Sequence, residues 1–340
     1  MDKGAENETN RLRQLIMGFR TTQLIYVAAK FGLADHLARG PLAPHDLAAA
    51  VGAEPEALFR LMRALASLGI FAELTDGRFE MTPAAEVLQR DRPGSLRSTA
   101  LVYGDELLWH AYGRLSHAIE TGQSAFAQVY GQPFYEYLEE HSDAAALFHD
   151  AMTGFSELEA AAIMAAYDFS SVRSLVDVGG GQAGLVAALL SRYPCLWAIV
   201  FDRAEPTQAG KLFASPHIGS RGTFMQGDFF AAVPEGGDLY LLKSVIHNWD
   251  DAAAASILRN CRKAIPREGR LLLVERVIPS GNAPSEAKLF DINMLVTVGG
   301  RERTETQYDS LLRSVGLQLT KVTPTKSHVS LIEAVKANRN

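Results

Sequence analysis

Short apolar runs alternate with helical patterns from about residue 172 onward, and this alternation constrains the fold more than any other feature of the chain. Strands that alternate with helices in this way form a doubly wound, mostly parallel sheet. The last two runs have a short connection, which predicts an antiparallel pair at one edge. The predicted fold class is therefore α/β, and PTQAGKLFA is one of the helices between strands. The predicted strands are SLVDV, LWAIVF, GTFMQ, DLYLLKSVI, RLLLVERVI, LQLTKV and HVSLIEAV.

A glycine cluster follows the first predicted strand, in the sequence LVDVGGGQAG. Gly179, Gly181 and Gly184 satisfy G-x-G-x-x-G, which lets a ligand approach the backbone of a Rossmann-like sheet. Asp202 ends the second strand about twenty residues later, where a carboxylate can accept hydrogen bonds from ribose hydroxyls. NAD and S-adenosylmethionine (SAM) both meet these two requirements.

Three features favour SAM. Asp177 lies in the turn from strand to loop, where a carboxylate suits a cofactor with a free ammonium and is unfavourable beside a pyrophosphate. Asp228 and Phe229 follow the third strand, where they can hydrogen-bond an exocyclic amine and pack against an adenine face. The third feature is that the sheet follows a long helical region, and no later segment suggests a nicotinamide pocket.

Three ionisable residues are expected at the ligand edge of the sheet. His247 lies just beyond the fourth strand, Glu275 closes the fifth, and Glu302 follows a Gly-Gly turn. A histidine oriented by carboxylates can act as a general base toward a phenol, whose pKa of about 10 makes it a poor nucleophile when protonated. The alternatives are a structural histidine, an ion pair between Glu275 and Arg276, and a solvated charge cluster around Glu302.

The N-terminal region, residues 8–96, is helical and apolar, and it contains the order of a winged helix. A short helix, a turn at Gly52 and a second helix precede a strand pair about Asp76-Gly77. Residues 41–84 contain three Arg, no Lys and six acids, and this net charge of −3 would repel nucleic-acid phosphates. Self-association is therefore predicted for this region in place of DNA binding.

Two regions are predicted. Residues 1–96 form a winged-helix dimerisation domain that is all-α apart from the two strands of the wing, and residues 97–340 form a second region. The second region begins with helices rich in aromatic residues, some of which could line a pocket for a flat apolar ligand. The catalytic sheet follows from about residue 172.

Composition limits the partners and the compartment. A net charge of −6 and a pI of about 5.9 give no basic footprint for nucleic acid or an acidic membrane surface. No apolar run reaches the roughly 18 residues of a membrane span, and the first residues are unlike a signal peptide. Only two cysteines are present, Cys195 and Cys261. A protein of the reducing cytoplasm is expected.

Several segments together resemble the plant-type, SAM-dependent O-methyltransferases, a family that includes caffeate, hydroxyindole and bacterial polyketide or phenazine O-methyltransferases. The likeness covers nearly the whole chain, including the winged-helix region and the FHDAM segment. The segments that carry it are LVDVGGGQAG, VFDRAEP, MQGDFF, LLKSVIHNWDD, ERVIP and DINMLVTVGGRERTETQY.

The resemblance implies roles for the matching residues. His247 is the implied catalytic base, with Glu275 and Glu302 orienting its imidazole. The cofactor positions, with Asp177 added from its chemistry, are Asp177, Gly179, Gly181, Asp202, Asp228, Phe229, Lys243 and Trp249. The acceptor-pocket positions are Met152, Phe155, Asn248, Asn293 and Met294.

The resemblance also implies a homodimer that converts SAM to S-adenosylhomocysteine without a divalent metal. The nine histidines include no pair at ligand spacing beside a carboxylate, which agrees with this. The chain departs from the family pattern where Asn248 replaces the Asp that many members have after the histidine. A second departure is the sequence FDRAEPT in place of the more usual FDLP.

The leading hypothesis is O-methylation of a phenolic hydroxyl on a small aromatic secondary metabolite. One alternative is a relative that binds SAM and performs other chemistry in the same pocket. Further alternatives are a winged-helix regulator with a metabolite-sensing domain, and an NAD enzyme.

Overall fold

The computed structural model describes residues 3–203, 213 and 218–337, apart from the side chains of residues 3–6 and 155–158. The predicted helix in PTQAGKLFA therefore lies almost entirely outside the described residues.

The chain forms two compact units. The first contains residues 1–110 and 143–154, and the second contains residues 111–142 and 155–340. The predicted domain boundary at residue 96 stays a prediction.

The regular elements of residues 3–112 are helices, apart from one hairpin. In chain order the elements are α1 (Lys3–Ile16), α2 (Phe19–Lys30), α3 (Leu33–Leu37), α4 (Pro44–Val51), α5 (Pro55–Ser67), β1 (Phe71–Glu73), β2 (Phe79–Met81), α6 (Pro83–Glu86), α7 (Arg97–Gly104) and α8 (Glu106–Tyr112).

The order α4, α5, β1, β2 confirms the winged-helix prediction. Gly52 adopts a φ of 70°, a left-handed conformation that glycine reaches without strain, and it ends α4. The carboxylate of Glu54 then caps α5 by accepting hydrogen bonds from the backbone N–H groups of Glu56 and Ala57. Strands β1 and β2 pair antiparallel, and their buried residues Phe71 and Phe79 join the core beneath α5.

The helices that precede the large sheet are α9 (Leu115–Thr121), α10 (Ala125–Tyr130), α11 (Phe134–Glu140) and α12 (Ser142–Ala166). Those that follow its first strand, within the described residues, are α13 (Gly184–Arg192), α14 (Asp251–Ala264), α15 (Glu286–Thr297) and α16 (Glu305–Ser314). Across the described parts of the chain, no helix is both long and apolar enough to span a membrane.

The second unit is built around a seven-stranded sheet in the order β5-β4-β3-β6-β7-β9-β8. Five strands are parallel, whereas β9 runs antiparallel to both β7 and β8, as the short final connection predicts. The strands are β3 (Ser174–Val178), β4 (Trp197–Asp202), β5 (Gly222–Gln226), β6 (Leu239–Lys243), β7 (Arg270–Glu275), β8 (Leu317–Pro324) and β9 (Ser330–Lys336).

Helices cover both faces of this sheet. Residues of α14 and α16 pack on one face, and residues of α12 and α13 pack on the other. Because both faces are covered, central strands such as β6 are continuous apolar runs instead of alternating ones. Each fully buried aliphatic side chain contributes about 1.5–3 kcal/mol to this core.

Candidate active site

Carboxylates collect at the carboxyl ends of the parallel strands, beside the point between β3 and β6 where the strand order reverses. Ligands of doubly wound sheets bind at this edge. Asp202 ends β4 and Glu275 ends β7. Asp177 lies within β3, so the expectation that it belongs to the turn is wrong. The strand continues through Val178, which still pairs with β4.

His247 lies in a 3-10 turn over residues 246–248, just beyond β6. Its ring is buried, and Nδ1 donates a 2.9 Å hydrogen bond to Oε1 of Glu302. Oε2 of Glu275 lies 3.3 Å from the same nitrogen. No described residue hydrogen-bonds the other ring nitrogen, Nε2. The three residues predicted as a catalytic group therefore lie together, and Nε2 carries the lone pair of the neutral imidazole.

The charges around His247 change its proton affinity. Burial alone would lower the pKa of His247, because the charged ring loses hydration. The charges of Glu275 and Glu302, with the hydrogen bond to Glu302, outweigh burial and raise this pKa above its ordinary value of 6.5. Burial also raises the pKa of Glu275. His247 is therefore a stronger base than a free imidazole.

Glu275 also holds the backbone of the loop that carries His247. Its Oε1 accepts hydrogen bonds from the N–H groups of Val245 and Ile246, at 3.0 and 2.7 Å. The preceding residue, Ser244, has a φ of 54°, which is strained for a residue other than glycine. The side-chain amide of Asn248 donates to the Ser244 carbonyl at 3.1 Å. The sharp turn after β6 is thus fixed from both sides.

Arg303 fixes the opposite side of the same loop, and its role was missed from the sequence. The side chain is fully buried, and each of its five N–H groups has an acceptor. The carbonyls of Ile246 and Trp249 accept at 3.2 and 2.9 Å, and the Arg301 carbonyl accepts at 3.3 Å. Asp251 Oδ1 accepts the remaining two at 2.9 and 2.8 Å.

The Gly-Gly turn brings this arginine and Glu302 to the loop. A Cβ atom at Gly300 would lie 2.1 Å from the His247 carbonyl oxygen, so only glycine fits there. The next residue, Arg301, donates its backbone N–H to that carbonyl at 2.8 Å. Thr304 and Gln307 form the capping box of α16. The capping box was the sequence signal that could have revealed the role of Arg303, because it places the charged residues 301–303 directly before a helix at the sheet edge.

Asp177 has the features expected of a ligand for a cation. The side chain is buried, and Oδ1 has no hydrogen-bond partner among the described residues. Burial raises the pKa of Asp177 to about 7; the charge of Asp202 acts in the same direction, and that of Lys243 opposes it. A Cβ at Gly180 would lie 2.5 Å from Asp177 Oδ2, so the glycine loop passes directly over this carboxyl. An uncompensated buried carboxyl is costly unless a ligand supplies the partner.

The other two predicted cofactor carboxylates organise backbone turns. Asp202 Oδ2 accepts from the Gly181 N–H at 2.9 Å, and Oδ1 accepts from the Arg203 N–H at 2.7 Å. Asp228 Oδ1 accepts from the Phe230 N–H at 2.8 Å. Each carboxylate oxygen has a further lone pair with which it can accept from a ligand hydroxyl or amine.

An aromatic cluster borders the glycine loop. The ring of Phe229 lies 5.1 Å from that of Phe230 and 6.2 Å from that of Trp249. A Cβ at Gly179 would lie 3.7 Å from the Phe229 ring, which shows how close the loop passes to the cluster. The indole Nε1 of Trp249 is buried and has no hydrogen-bond partner in residues 3–203, 213 and 218–337. Asn260 anchors the segment by donating to the carbonyls of Phe229 and Phe230.

Lys243, at the end of β6, forms a buried ion pair with Glu159 of α12. The two charged groups are 2.7 Å apart, and both side chains are nearly inaccessible. This partner was missed because it comes from a helix 84 positions earlier, and no local pattern marks it.

The predicted acceptor-pocket residues of the second unit lie on α15 and in the His247 turn. Asn293 is buried and its Oδ1 accepts from the Tyr112 hydroxyl at 3.0 Å. Met294 is also buried. The side chain of Asn248 forms a hydrogen bond with that of Tyr135. Tyr112 and Tyr135 are therefore additional polar groups in this region.

The other two predicted acceptor residues lie on α12. Met152 is half-buried in the first unit. The side chain of Phe155 lies outside the described residues. Both assignments stay predictions.

His247, Glu275 and Glu302 could in principle also hold a metal ion, because one ligand atom from each lies within 4.8 Å of the others. Their hydrogen bond and ion-pair geometry account for this spacing without an ion. The absence of a metal stays a prediction.

Comparison with protein families gives two matches. The model of an O-methyltransferase domain matches residues 112–318, and that of an O-methyltransferase dimerisation domain matches residues 13–91. The first match alone covers more than half of the chain.

Individual relatives agree with this. The phenazine O-methyltransferase PhzM of Lysobacter antibioticus is 40% identical over 332 residues, which cover 97% of each chain. The crystal structure of CalO1, a methyltransferase of calicheamicin biosynthesis with bound S-adenosylhomocysteine, has a TM-score of 0.87 and 33% identity, and covers 99% of this chain and 100% of that one. The 8-amino-8-demethylriboflavin N,N-dimethyltransferase of Streptomyces davaonensis is 33% identical and covers 95% and 94%.

The chain therefore belongs to the family of SAM-dependent O-methyltransferases with an N-terminal dimerisation domain. The predicted family, fold class, enzyme class and cofactor are confirmed, and a place in secondary metabolism agrees with the relatives. The accepting atom is not fixed by membership, since the riboflavin relative is an N-methyltransferase.

Proposed function

We propose that the protein methylates a hydroxyl group of a small aromatic acceptor and that His247 is the general base. The observation that carries this proposal is the geometry of the imidazole. Nδ1 donates to Glu302, while no described residue hydrogen-bonds Nε2. An amine acceptor can attack as the neutral amine, whereas a phenol of pKa about 10 needs a base at neutral pH. A base held in this tautomer at the ligand edge therefore favours an oxygen acceptor.

The protein's own residues supply alignment and a proton site. Nε2 of His247 accepts the acceptor's hydroxyl proton as the oxygen attacks, and the nearby charges of Glu275 and Glu302 stabilise the imidazolium that forms. Glu275 also holds the loop through two backbone N–H groups, and Arg303 holds it through two carbonyls. A loop fixed on both sides loses little entropy when it aligns the base with its target.

The residues fit SAM on the evidence of the buried, unpartnered carboxyl oxygen of Asp177. Asp177 would hold the ammonium of the methionine moiety beside Gly179 and Gly181. Asp202 would accept from the ribose hydroxyls, and Asp228 from the adenine amine. The aromatic positions Phe229 and Trp249 would contact the adenosine, with Lys243 nearby. Bound SAM supplies a methyl group that is already activated by the sulfonium charge.

We also propose that the protein is a homodimer formed through its dimerisation domain. Four apolar side chains of α1 and α2 are more than half exposed: Leu12, Leu15, Ile16 and Phe19. Exposed apolar clusters of this kind mark association surfaces.

The test is a screen of hydroxylated aromatic compounds for methyl uptake from SAM by mass spectrometry, followed by kinetics on the best acceptor. His247→Ala should lower kcat by roughly 10²–10⁴ while SAM affinity barely changes. His45→Ala, a change at an exposed histidine of the first unit, is the matched control. An unchanged kcat in His247→Ala would remove His247 from this role, and loss of activity in EDTA would show that a metal is required.

The second candidate function is methylation of an amine, favoured by the N-methyltransferase among the relatives. Aromatic amines should be included in the same screen. A preference for amines, with little effect of His247→Ala, would replace the proposed acceptor class.

A further inference from the structure

Arg276, the residue after β7, is a buried arginine that forms no ion pair with any described residue. The residue is 5% exposed, and its Nε has no hydrogen-bond partner. No described residue forms a hydrogen bond or an ion pair with its guanidinium. Buried charges are normally paired, because an unpaired one loses its hydration without compensation. Arg303 differs from Arg276 in this respect, because all five of its N–H donors have acceptors.

Arg276 contacts helix α15, which carries two of the residues predicted for the acceptor pocket. Its guanidinium carbon lies 3.7 Å from the ring centroid of Phe290 on α15. The same ring is 6.1 Å from the imidazole of His247, at a 31° tilt. Phe290 shares one face of α15 with Asn293 and Met294, because residues three and four positions apart are neighbours on a helix. Both distances are measured to the centre of the Phe290 ring, so the guanidinium carbon and the imidazole centre are separated by at most the sum of the two.

We propose that Arg276 binds a carboxylate, or an equivalent anionic substituent, on the aromatic acceptor. This rests on the proposed function and specifies its substrate class as a hydroxylated aromatic acid. A guanidinium presents paired N–H donors that match a carboxylate, and such charge-assisted bonds are stronger than neutral ones. Phe290 supplies an aromatic surface beside that contact on which the flat ring of the acceptor can stack.

The same pairing would act on the base. The positive charge of Arg276 opposes protonation of His247. An acceptor carboxylate at Arg276 cancels that charge, so proton uptake by the imidazole becomes easier when an acidic acceptor is bound. Binding of the correct substrate class would therefore also favour the proton transfer that follows.

The experiment uses hydroxybenzoic, hydroxynaphthoic and hydroxyanthracene carboxylic acids, each paired with its primary carboxamide. Binding is measured by calorimetry in the presence of S-adenosylhomocysteine, so that the result does not depend on turnover. Wild type is compared with Arg276→Met, Arg276→Lys and the control Arg259→Met, which changes an exposed arginine. Melting temperatures establish that each variant is folded.

We expect wild type to bind the best acid at least tenfold more tightly than its amide. Arg276→Met should weaken binding of the acid but not of the amide, so that the Kd values of the two compounds become similar. Arg276→Lys should bind the acid with an intermediate Kd, and Arg259→Met should bind it as wild type does. Equal binding of acid and amide by wild type, or equal weakening of both in Arg276→Met, overturns the proposal; so does a panel in which no acid binds. An acid that binds through Arg276 without being methylated counts against the proposed function alone.

Discussion

Replacing Asp177 with asparagine should make the unliganded protein more stable at alkaline pH. The carboxyl is 3% exposed, and no residue in the described part of the chain hydrogen-bonds its Oδ1. Burial, assisted by the charge of Asp202 and opposed by that of Lys243, raises the pKa of Asp177 to about 7. Asparagine has nearly the same shape but never ionises, so it removes the cost of the buried charge.

The magnitude follows from the two pKa values. The ordinary pKa of an aspartate side chain, which applies to the unfolded chain, is 3.8. Because the folded state binds this proton more tightly, the free energy of unfolding falls as the pH rises from 3.8 to about 7. At 1.36 kcal/mol per pKa unit, the full destabilisation at pH 8 is about 4 kcal/mol. Less than half of it is present at pH 5, so the advantage of Asp177→Asn should shrink as the pH falls.

The assay is urea unfolding or thermal melting of the unliganded wild type and Asp177→Asn at pH 5 and pH 8. Asp91→Asn, a change at an exposed carboxyl, is the control for the general effect of removing one negative charge. A stability difference between wild type and Asp177→Asn that is the same at both pH values would refute the burial argument.

SAM binding provides the second half of this test. If the ionised carboxyl holds the ammonium, wild type should bind SAM about tenfold more tightly at pH 8 than at pH 6, because a group of pKa about 7 is mostly protonated at pH 6. Asp177→Asn should bind weakly and show no such pH dependence. Equal Kd values for the two proteins would contradict the cofactor role of Asp177.

Two further predictions concern the base and its support. Glu302→Gln removes a negative charge and should lower the pKa of His247, so the acidic limb of the kcat–pH profile should move to lower pH while kcat itself falls; an unmoved limb would exclude Glu302 from tuning the base. Arg303→Lys keeps the charge but loses the fork that holds Ile246 and Trp249, and we expect about a tenfold loss in kcat with little change in the KM for SAM. Arg301→Lys, at a partly exposed arginine in the same run, is the control, and equal losses in both variants would argue against loop positioning.

The sheet and its ligand edge could be predicted because both depend on local periodicity. Apolar runs alternate with helices, so parallel pairing and the positions of strand ends follow from connection rules. Asp202, His247 and Glu275 were found in this way, since each lies at or just beyond a strand end. Asp177 was assigned to the turn although the predicted strand SLVDV has the same bounds as β3, and the structure shows that this residue belongs to the strand.

The charged run at residues 301–303 shows that periodicity alone does not predict which charged side chains are buried. Arg301 and Arg303 are alike in sequence context, yet one is half exposed and the other is fully buried. The difference arises because Arg303 meets Asp251 and the carbonyls of the His247 turn, which come from about 50 positions earlier. Long-range partners of this kind decide which charges are structural and which are solvated.

The two perturbed groups of the site require the same condition for activity. His247 can accept a proton only when it is neutral, above a pKa that its acidic neighbours raise. Asp177 can hold an ammonium only when it is ionised, above a pKa that burial raises to about 7. Both groups lose their function as the pH falls, but the causes differ: acidic neighbours raise the pKa of His247 against the effect of burial, whereas burial itself raises the pKa of Asp177. A bound ammonium lowers the pKa of Asp177 and so keeps its carboxyl ionised at lower pH. An anionic acceptor at Arg276 would instead raise the pKa of His247 further, which strengthens the base but narrows the pH range over which it is neutral. Once SAM is bound, the loss of activity at low pH should therefore follow the protonation of His247 and not that of Asp177.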